Sequence, residues 1–343
     1  PIFGVRIMPI HPDREPKMSK KERLALTYTI SVLALLVLAL LDLHVGAVKL
    51  SSSEIFQALT GTADSRIAAI VNSLRLPRLL TAILAGIGLA MSGSVMQAVF
   101  MNPLADPHIL GISAGAGTGV AIATLCTAGT GIALSISAAA GAFCMSLIIL
   151  WISLRTRRAS ALLITGVMLG YIMSALTSVI EYQANEMRLK MFWNWSAGSF
   201  GSSGWTELQI MAVALIAGFL ISLSLSKGLS LLLFGDDYAA SAGANVRKIR
   251  VLSMLGCSLM TGVVTAYCGP IGFVGIVSPH IAKAFSGQAV MKHIIPLSCI
   301  MGAVICLGGD ILSRVWETPL PVGSTIALIG IPIIFLILRR QNP

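Results

Sequence analysis

The chain has 343 residues, of which 56% are hydrophobic and 11% are charged. Soluble domains carry about 25% charged residues, so this composition excludes an ordinary water-soluble protein and places the chain in a membrane. Six cysteines are scattered without a C-x-x-C pair, which indicates small packing or lipid-facing residues rather than a disulfide scaffold. The net charge of +10 does not indicate a nucleic-acid partner, because the basic residues lie at the ends of long apolar runs.

Ten apolar runs are long enough to cross a bilayer, which needs about 20 residues per helix. They are residues 24–43, 79–100, 109–126, 132–154, 160–180, 207–226, 251–268, 269–285, 293–313 and 321–338. The seventh and eighth meet at Gly269-Pro270, a natural turn, and the glycines and prolines of the eighth predict a kinked or broken helix. Small residues in several runs predict closely packed helices. The sequence therefore predicts an all-α integral membrane protein with a ten-span domain over residues 24–338.

The distribution of Lys and Arg predicts the orientation. With the N-terminus inside, 17 of the 24 basic residues fall in inner segments and seven in outer segments. The positive-inside rule then places both the leader, residues 1–23, and the tail, residues 339–343, in the cytoplasm. The leader is long and polar and no small-residue cleavage site follows the first run, so we interpret that run as a span and not as a signal peptide.

Motifs for catalysis are weak in this chain. Gly201-Ser202-Ser203-Gly204 matches the G-x-S-G pattern of rhomboid-like intramembrane proteases, but it falls in an outer loop, where Gly/Ser strings are common. Leu307-Gly308-Gly309-Asp310 misses the G-x-G-D pattern of aspartyl intramembrane proteases by one residue. Neither a P-loop nor a metal-ligand spacing of His occurs, so we expect no catalytic residue, metal or cofactor in this chain.

Ion-coupled transport is an alternative of a different class. Such carriers usually hold ionisable groups near the middle of the bilayer. Here Asp42, Glu181, Glu207 and Asp310 lie at the ends of spans. Sodium sites made of backbone carbonyls, and uniporters, stay open at this stage.

A short cytoplasmic helix is predicted between the sixth and seventh spans. Residues 234–243 contain Asp236 or Asp237 as a suitable N-cap and Gly243 as a C-terminal stop. Such a helix is either a lever for a partner subunit or an ordinary connector.

Three arginines are expected on the outer side, against the positive-inside rule. Arg75 and Arg78 surround Pro77 just before the second span, and Arg314 lies on another outer turn. Exposed arginines there either receive carboxylates from a docking protein or extend to lipid headgroups.

The motifs together resemble the FecCD-type permeases of bacterial and archaeal type II ABC importers, over nearly the whole chain from about residue 25. The matching segments are residues 75–78 (RLPR), 88–93 with Gln97, 102–107 (NPLADP), 110–116, 195–200 (WSAGSF), 235–243, 269–275 (GPIGFVG), 279–280, 310–314 and 321–323. Family members often have Arg in place of Lys283. They also have a shorter turn where residues 317–323 stand, so the resemblance supports Arg75 and Arg78 more firmly than Arg314.

The resemblance implies a homodimer with one pathway at its interface in the inner membrane of a prokaryote. Two cytoplasmic ATPase subunits would bind ATP and Mg²⁺, and an external or periplasmic binding protein would dock at Arg75, Arg78 and Arg314 to deliver the cargo. Residues 227–250 would form the coupling loop to the ATPase, in which we single out Gly235, Asp236, Asp237, Ala240 and Gly243.

The resemblance also implies alternating access, in which the fifth and tenth spans shift across the pathway. Polar candidates on the fifth span are Ser160, Thr165, Ser174, Thr177 and Ser178, with Ser160 at a cytoplasmic gate; hydroxyls that only pack helices are the alternative. A ferric chelate such as a siderophore complex is the first expected cargo. Haem or cobalamin follows, and then molybdate-like oxyanions. Bare iron is not expected to be coordinated by the chain.

Overall fold

A computed structural model of the protein describes residues 19–126, 131–156, 159–316 and 318–341, and these form fifteen α-helices joined by turns. The helices are α1 Lys20–His44, α2 Ser52–Thr60, α3 Ser65–Ile70, α4 Leu76–Phe100, α5 Ile112–Cys126, α6 Gly131–Arg155, α7 Ala159–Gln183, α8 Glu186–Ser196, α9 Trp205–Ser224, α10 Ser226–Leu232, α11 Asp236–Ser241, α12 Val246–Cys268, α13 Val274–Ser286, α14 Met291–Arg314 and α15 Val322–Gln341. A π-helical turn, Val71–Arg75, joins α3 to α4, and a 3₁₀ turn, Pro107–Leu110, precedes α5.

The prediction of an all-α membrane protein is confirmed. Within the described residues, seven helical segments are long and apolar enough to cross a membrane, and these contain α1, α4, α6, α7, α9, α12 and α14. The shorter apolar helices α5 and α15 occupy the third and tenth predicted runs. Helix α13, with 13 residues, occupies the eighth.

The eighth span is shorter than predicted, because its first five residues are not helical. Gly269 and Phe273 have φ values of 74° and 68°, in the left-handed region. A side chain at Gly269 would stand 2.3 Å from the carbonyl oxygen of Trp195, so only glycine allows the chain to turn this close to the end of α8. The helix therefore begins at Val274 instead of Gly269.

Helix α4 lies at the centre of the bundle. In the segment that contains it, 78% of the most apolar stretch is buried, against 11% for α1 and 6% for α7. A Cβ added at Gly86 would stand 2.4 Å from the carbonyl oxygen of Gly302 in α14, so these two helices meet backbone to backbone. Small residues permit this approach in a bilayer, where no hydrophobic force drives helices together.

The spans alternate in direction, so their ends meet at two faces. At the terminal face, where α1 begins and α15 ends, Arg23 donates to the carbonyls of Phe285 (2.6 Å) and Ala284 (2.6 Å). The same face carries the end of α6, the helices α10 and α11, and the start of α12. At the opposite face lie the end of α1, the start of α4 and the end of α14, together with α2, α3 and α8.

Candidate functional site

A network of four charged side chains ties three spans together at the opposite face. Arg78 donates to both oxygens of the Asp310 carboxylate, with Nε–Oδ2 3.0 Å and Nη2–Oδ1 2.7 Å. Arg314 pairs with the same carboxylate, with Nη2–Oδ2 2.7 Å, and also with Asp42. We call Asp42, Arg78, Asp310 and Arg314 the opposite-face network.

Local sequence explains half of the opposite-face network. Asp310 and Arg314 are four residues apart on α14, so they lie on one side of the helix. Pro77 stands in the first turn of α4 and leaves Arg78 at the helix start, beside the end of α14. Asp310 is 0% and Asp42 1% exposed, and charges buried this deeply persist in proteins only when they are paired.

Arg75 stabilises the end of α1. Its guanidinium donates to the backbone carbonyls of Leu43 and Val48, and the residue is 6% exposed. Carbonyls in the last turn of a helix have no partner within the helix, and a cation there also interacts favourably with the helix dipole.

The expectation of exposed arginines at the outer side is therefore wrong for Arg75 and Arg314, whose guanidinium groups are used within the chain. Arg78 keeps the most access, with 22% of its side chain exposed. The physical reason is that a guanidinium near the membrane is stabilised most by fixed acceptors, and Asp310 and the end of α1 supply them. Docking of a binding protein at Arg75, Arg78 and Arg314 stays a prediction.

The short cytoplasmic helix exists as α11, but its cap differs from the prediction. Gly235, with φ 109°, is the N-cap, and Asp236 and Asp237 occupy the first turn instead. Acidic residues in a first turn also stabilise a helix, through its dipole. Gly243, with φ 83°, follows the last turn as expected.

Helix α11 is attached to α12 by an ion pair and exposes one of its sides. Asp236 Oδ2 lies 2.8 Å from Arg250 Nη2, and Ala239, on the inner side of α11, is fully buried. Asp237 and Ala240 are exposed. Their side of α11 is open to a partner.

An exposed aromatic pair beside α11 was missed from the sequence. The rings of Phe234 and Tyr238 lie 5.3 Å apart, and the residues are 74% and 54% exposed. Two aromatic residues four positions apart in a polar loop are the signal that would have indicated them, because residues at this spacing share one side of a helix. Exposed aromatic residues are typical of protein interfaces.

The five hydroxyl candidates on α7 separate into two groups. Thr165 donates to the carbonyl of Ala161 (2.8 Å) within α7 itself, whereas Thr177 lies 3.0 Å from the hydroxyl of Thr118 and so joins α7 to α5. Ser160, Ser174 and Ser178 are exposed along α7.

Ser174 contributes to a pocket of about 360 Å³ on the surface of α7, which also involves Tyr171 and His108. His108 Nε2 is buried there without a hydrogen-bond partner. Ser178 lies one turn beyond Ser174. The structure thus brings polar groups together on the exposed side of α7.

Comparisons with known proteins are consistent over almost the full chain. A model of the FecCD transport family matches residues 34–340. The hemin transport system permease protein HmuU of Yersinia pestis is 33% identical over 320 residues, covering 91% of this chain and 95% of that protein. The vitamin B12 import system permease protein BtuC of Salmonella typhi is 36% identical over 311 residues, covering 90% of this chain and 95% of that protein.

A solved structure agrees at the level of the fold. It is described as an inward-facing conformation of a metal-chelate type ABC transporter, and it superimposes on this chain with a TM-score of 0.83 and 29% sequence identity. The match covers 92% of this chain and 99% of the other.

Proposed function

Because the chain belongs to the FecCD transport family, we propose that it moves a metal chelate into the cell by alternating access, driven by ATP hydrolysis in a separate subunit. It is a transport permease of the type II ABC importer class. The fold is a membrane bundle in which α7 is a peripheral span and α11 is an exposed helix at the terminal face.

The observation that carries the proposal is the exposed side of α7. Only 6% of its most apolar stretch is buried, yet this side carries Tyr171, Ser174 and Ser178. Polar groups inside a membrane are expensive against lipid and are typical of a watery pathway. We therefore place the pathway along this side of α7, with Ser160 as the gate candidate at the terminal face.

A second copy of the chain would close this pathway. A single chain leaves α7 as the edge of the bundle, with large apolar residues such as Ile164 and Met168 more than half exposed. A homodimer buries the same surface on both subunits around a two-fold axis and encloses one pathway between them.

The terminal faces of the two copies would bind two ABC ATPases in the cytoplasm, one for each copy. The coupling segment, residues 227–250, presents Asp237, Ala240 and the Phe234–Tyr238 pair on its free surface. The ion pair from Asp236 to Arg250 fixes α11 to the start of the seventh span. A push on α11 would therefore reach α12 directly.

The opposite face would receive an external binding protein, with Arg78 as its most accessible arginine. Arg75 and Arg314 would act by holding this face in shape. Charge pairs across such an interface orient docking more than they supply affinity.

The cargo we propose is a ferric chelate, as a siderophore complex or haem, with cobalamin or an oxyanion as the alternative. The relatives named for hemin and vitamin B12 support a metal bound in a large organic ligand. The membrane is the cytoplasmic membrane of a prokaryote, with both termini in the cytoplasm.

The experiment is to purify the chain with the ATPase encoded beside its gene and measure the mass of the complex. Uptake of labelled ferric siderophore, haem and cobalamin by proteoliposomes with the matching binding proteins then identifies the cargo. A two-plus-two complex is expected. Failure to associate with any ATPase, combined with flux that follows an ion gradient, would establish a secondary transporter instead.

A further inference from the structure

A basic cavity of about 620 Å³ opens at the terminal face, between the end of α6, helix α11 and the start of α12. Its walls include Arg155, Arg247 and Arg250, together with Asp236 and Asp237. Three cations and two anions leave the cavity with a net positive charge. The start of α12 adds the positive end of a helix dipole.

Two of the three arginines in the cavity wall are exposed, and the third is buried. Arg250 is 5% exposed and holds Asp236. Arg247 and Arg155 are exposed. Arg247 Nη2 lies 3.4 Å from the carbonyl of Leu154, and Arg155 stacks over the ring of Trp151, with 4.2 Å between its Cζ and the ring centroid.

An apolar stripe leads along α6 to this cavity. Phe143, Leu147 and Trp151 are 62%, 45% and 54% exposed. They follow at intervals of four residues, so they share one side of the helix, and Arg155 is the next residue in the same series. This side of α6 faces outward from the bundle, where acyl chains lie.

We propose that this cavity binds the phosphate of an anionic phospholipid from the leaflet at the terminal face. The phosphate is held by Arg155 and Arg247, and an acyl chain lies along Phe143, Leu147 and Trp151. A lipid with its own ammonium group is disfavoured, because the arginines repel it. Basic pockets between membrane helices suit anionic headgroups in this way. The inference depends on membrane insertion and not on transport.

The test uses native mass spectrometry of the full chain in detergent, titrated with phosphatidylglycerol or with phosphatidylcholine of the same acyl chains. We expect one phosphatidylglycerol per chain to bind more tightly than phosphatidylcholine. Each of Arg155→Gln and Arg247→Gln should weaken that binding about fivefold, since one cation near the surface is worth about that factor. Trp151→Ala should also weaken phosphatidylglycerol binding. The double variant Arg155→Lys, Arg247→Lys keeps both positive charges and should retain most of the affinity of the unchanged chain.

The matched control is Lys292→Gln, which removes an exposed cation from the same face without touching the cavity. Its binding should equal that of the unchanged chain. Equal affinity for the two lipids, or no loss in the Arg155→Gln, Arg247→Gln double variant, would overturn the site. Tight binding of glycerol phosphate that is insensitive to Trp151→Ala would assign the cavity to a soluble anion. Unchanged lipid binding with lost ATPase association would assign it to the ATPase.

Discussion

At the scale of single residues, Asp310 has the largest expected effect on stability. It is fully buried and forms ion pairs with both Arg78 and Arg314. Removing one partner of a buried ion pair leaves an uncompensated charge and costs about 3–5 kcal/mol. We expect Asp310→Asn to lower the free energy of unfolding by that amount, measured as a lower melting temperature in detergent. Glu186→Gln, on the exposed first turn of α8, is the control, and equal melting of the two variants would contradict the account.

Charge positions were predictable from the sequence, but charge partners were only partly so. The pairing of Asp310 with Arg314 follows from their spacing on one helix. Arg78 and Asp310 are 232 positions apart, and only the packing of α4 against α14 brings them together. Arg75 was wrongly expected to be exposed, because the sequence does not show that the end of α1 packs over it.

At the scale of helices, the close contact of α4 with α13 depends on glycine. A Cβ at Gly93 would stand 1.9 Å from the carbonyl oxygen of Gly275. Gly93→Ala therefore forces the two helices apart, and overpacking of this kind costs about 1–3 kcal/mol. Gly117→Ala on α5 is the matched control, because nothing lies within 4 Å of its added Cβ. Thermal unfolding in detergent should separate the two variants, and equal stability would contradict the packing.

The aromatic pair beside α11 gives a second prediction at this scale. If Phe234 and Tyr238 contact the ATPase, replacing both with Ala should weaken its association at least about thirtyfold, since a single aromatic anchor at an interface contributes about 2 kcal/mol or more. Melting of the permease alone should not change, because both side chains are exposed. Phe56→Ala, an exposed aromatic residue at the opposite face, is the control. Unchanged association of the double variant would remove this surface from the coupling role.

The spans themselves were predictable, because apolar length is the main requirement for crossing a bilayer. The glycines and prolines of the eighth span predicted that it is interrupted, but not that its helix begins only at Val274. Its apolar run continues through Gly269–Phe273, where contact with Trp195 imposes a turn that depends on tertiary structure. The N-cap of α11 was also predicted wrongly. Gly235 and Asp236 are both acceptable N-caps, and in the structure the helix begins one residue earlier, with Gly235 as the cap.

For the whole molecule, the exposed side of α7 predicts a partner of the same sequence. The chain purified alone, in a mild detergent, should have the mass of two copies. The variant Ser174→Glu should halve the mass of the purified protein or stop uptake through the pathway. The reason is that the two carboxylates, one from each copy, would meet near the two-fold axis. Ser224→Glu, at the exposed end of α9 near the terminal face, is the control. A monomer in the unchanged chain would contradict the placement of the pathway.

The most direct measurement is the initial rate of ferric-chelate uptake into proteoliposomes that contain the chain, its ATPase and its binding protein. The account predicts uptake that requires ATP inside, at the face where both termini lie, and that continues when ionophores collapse every ion gradient. Uptake that continues without the ATPase and stops when the gradients collapse would contradict it.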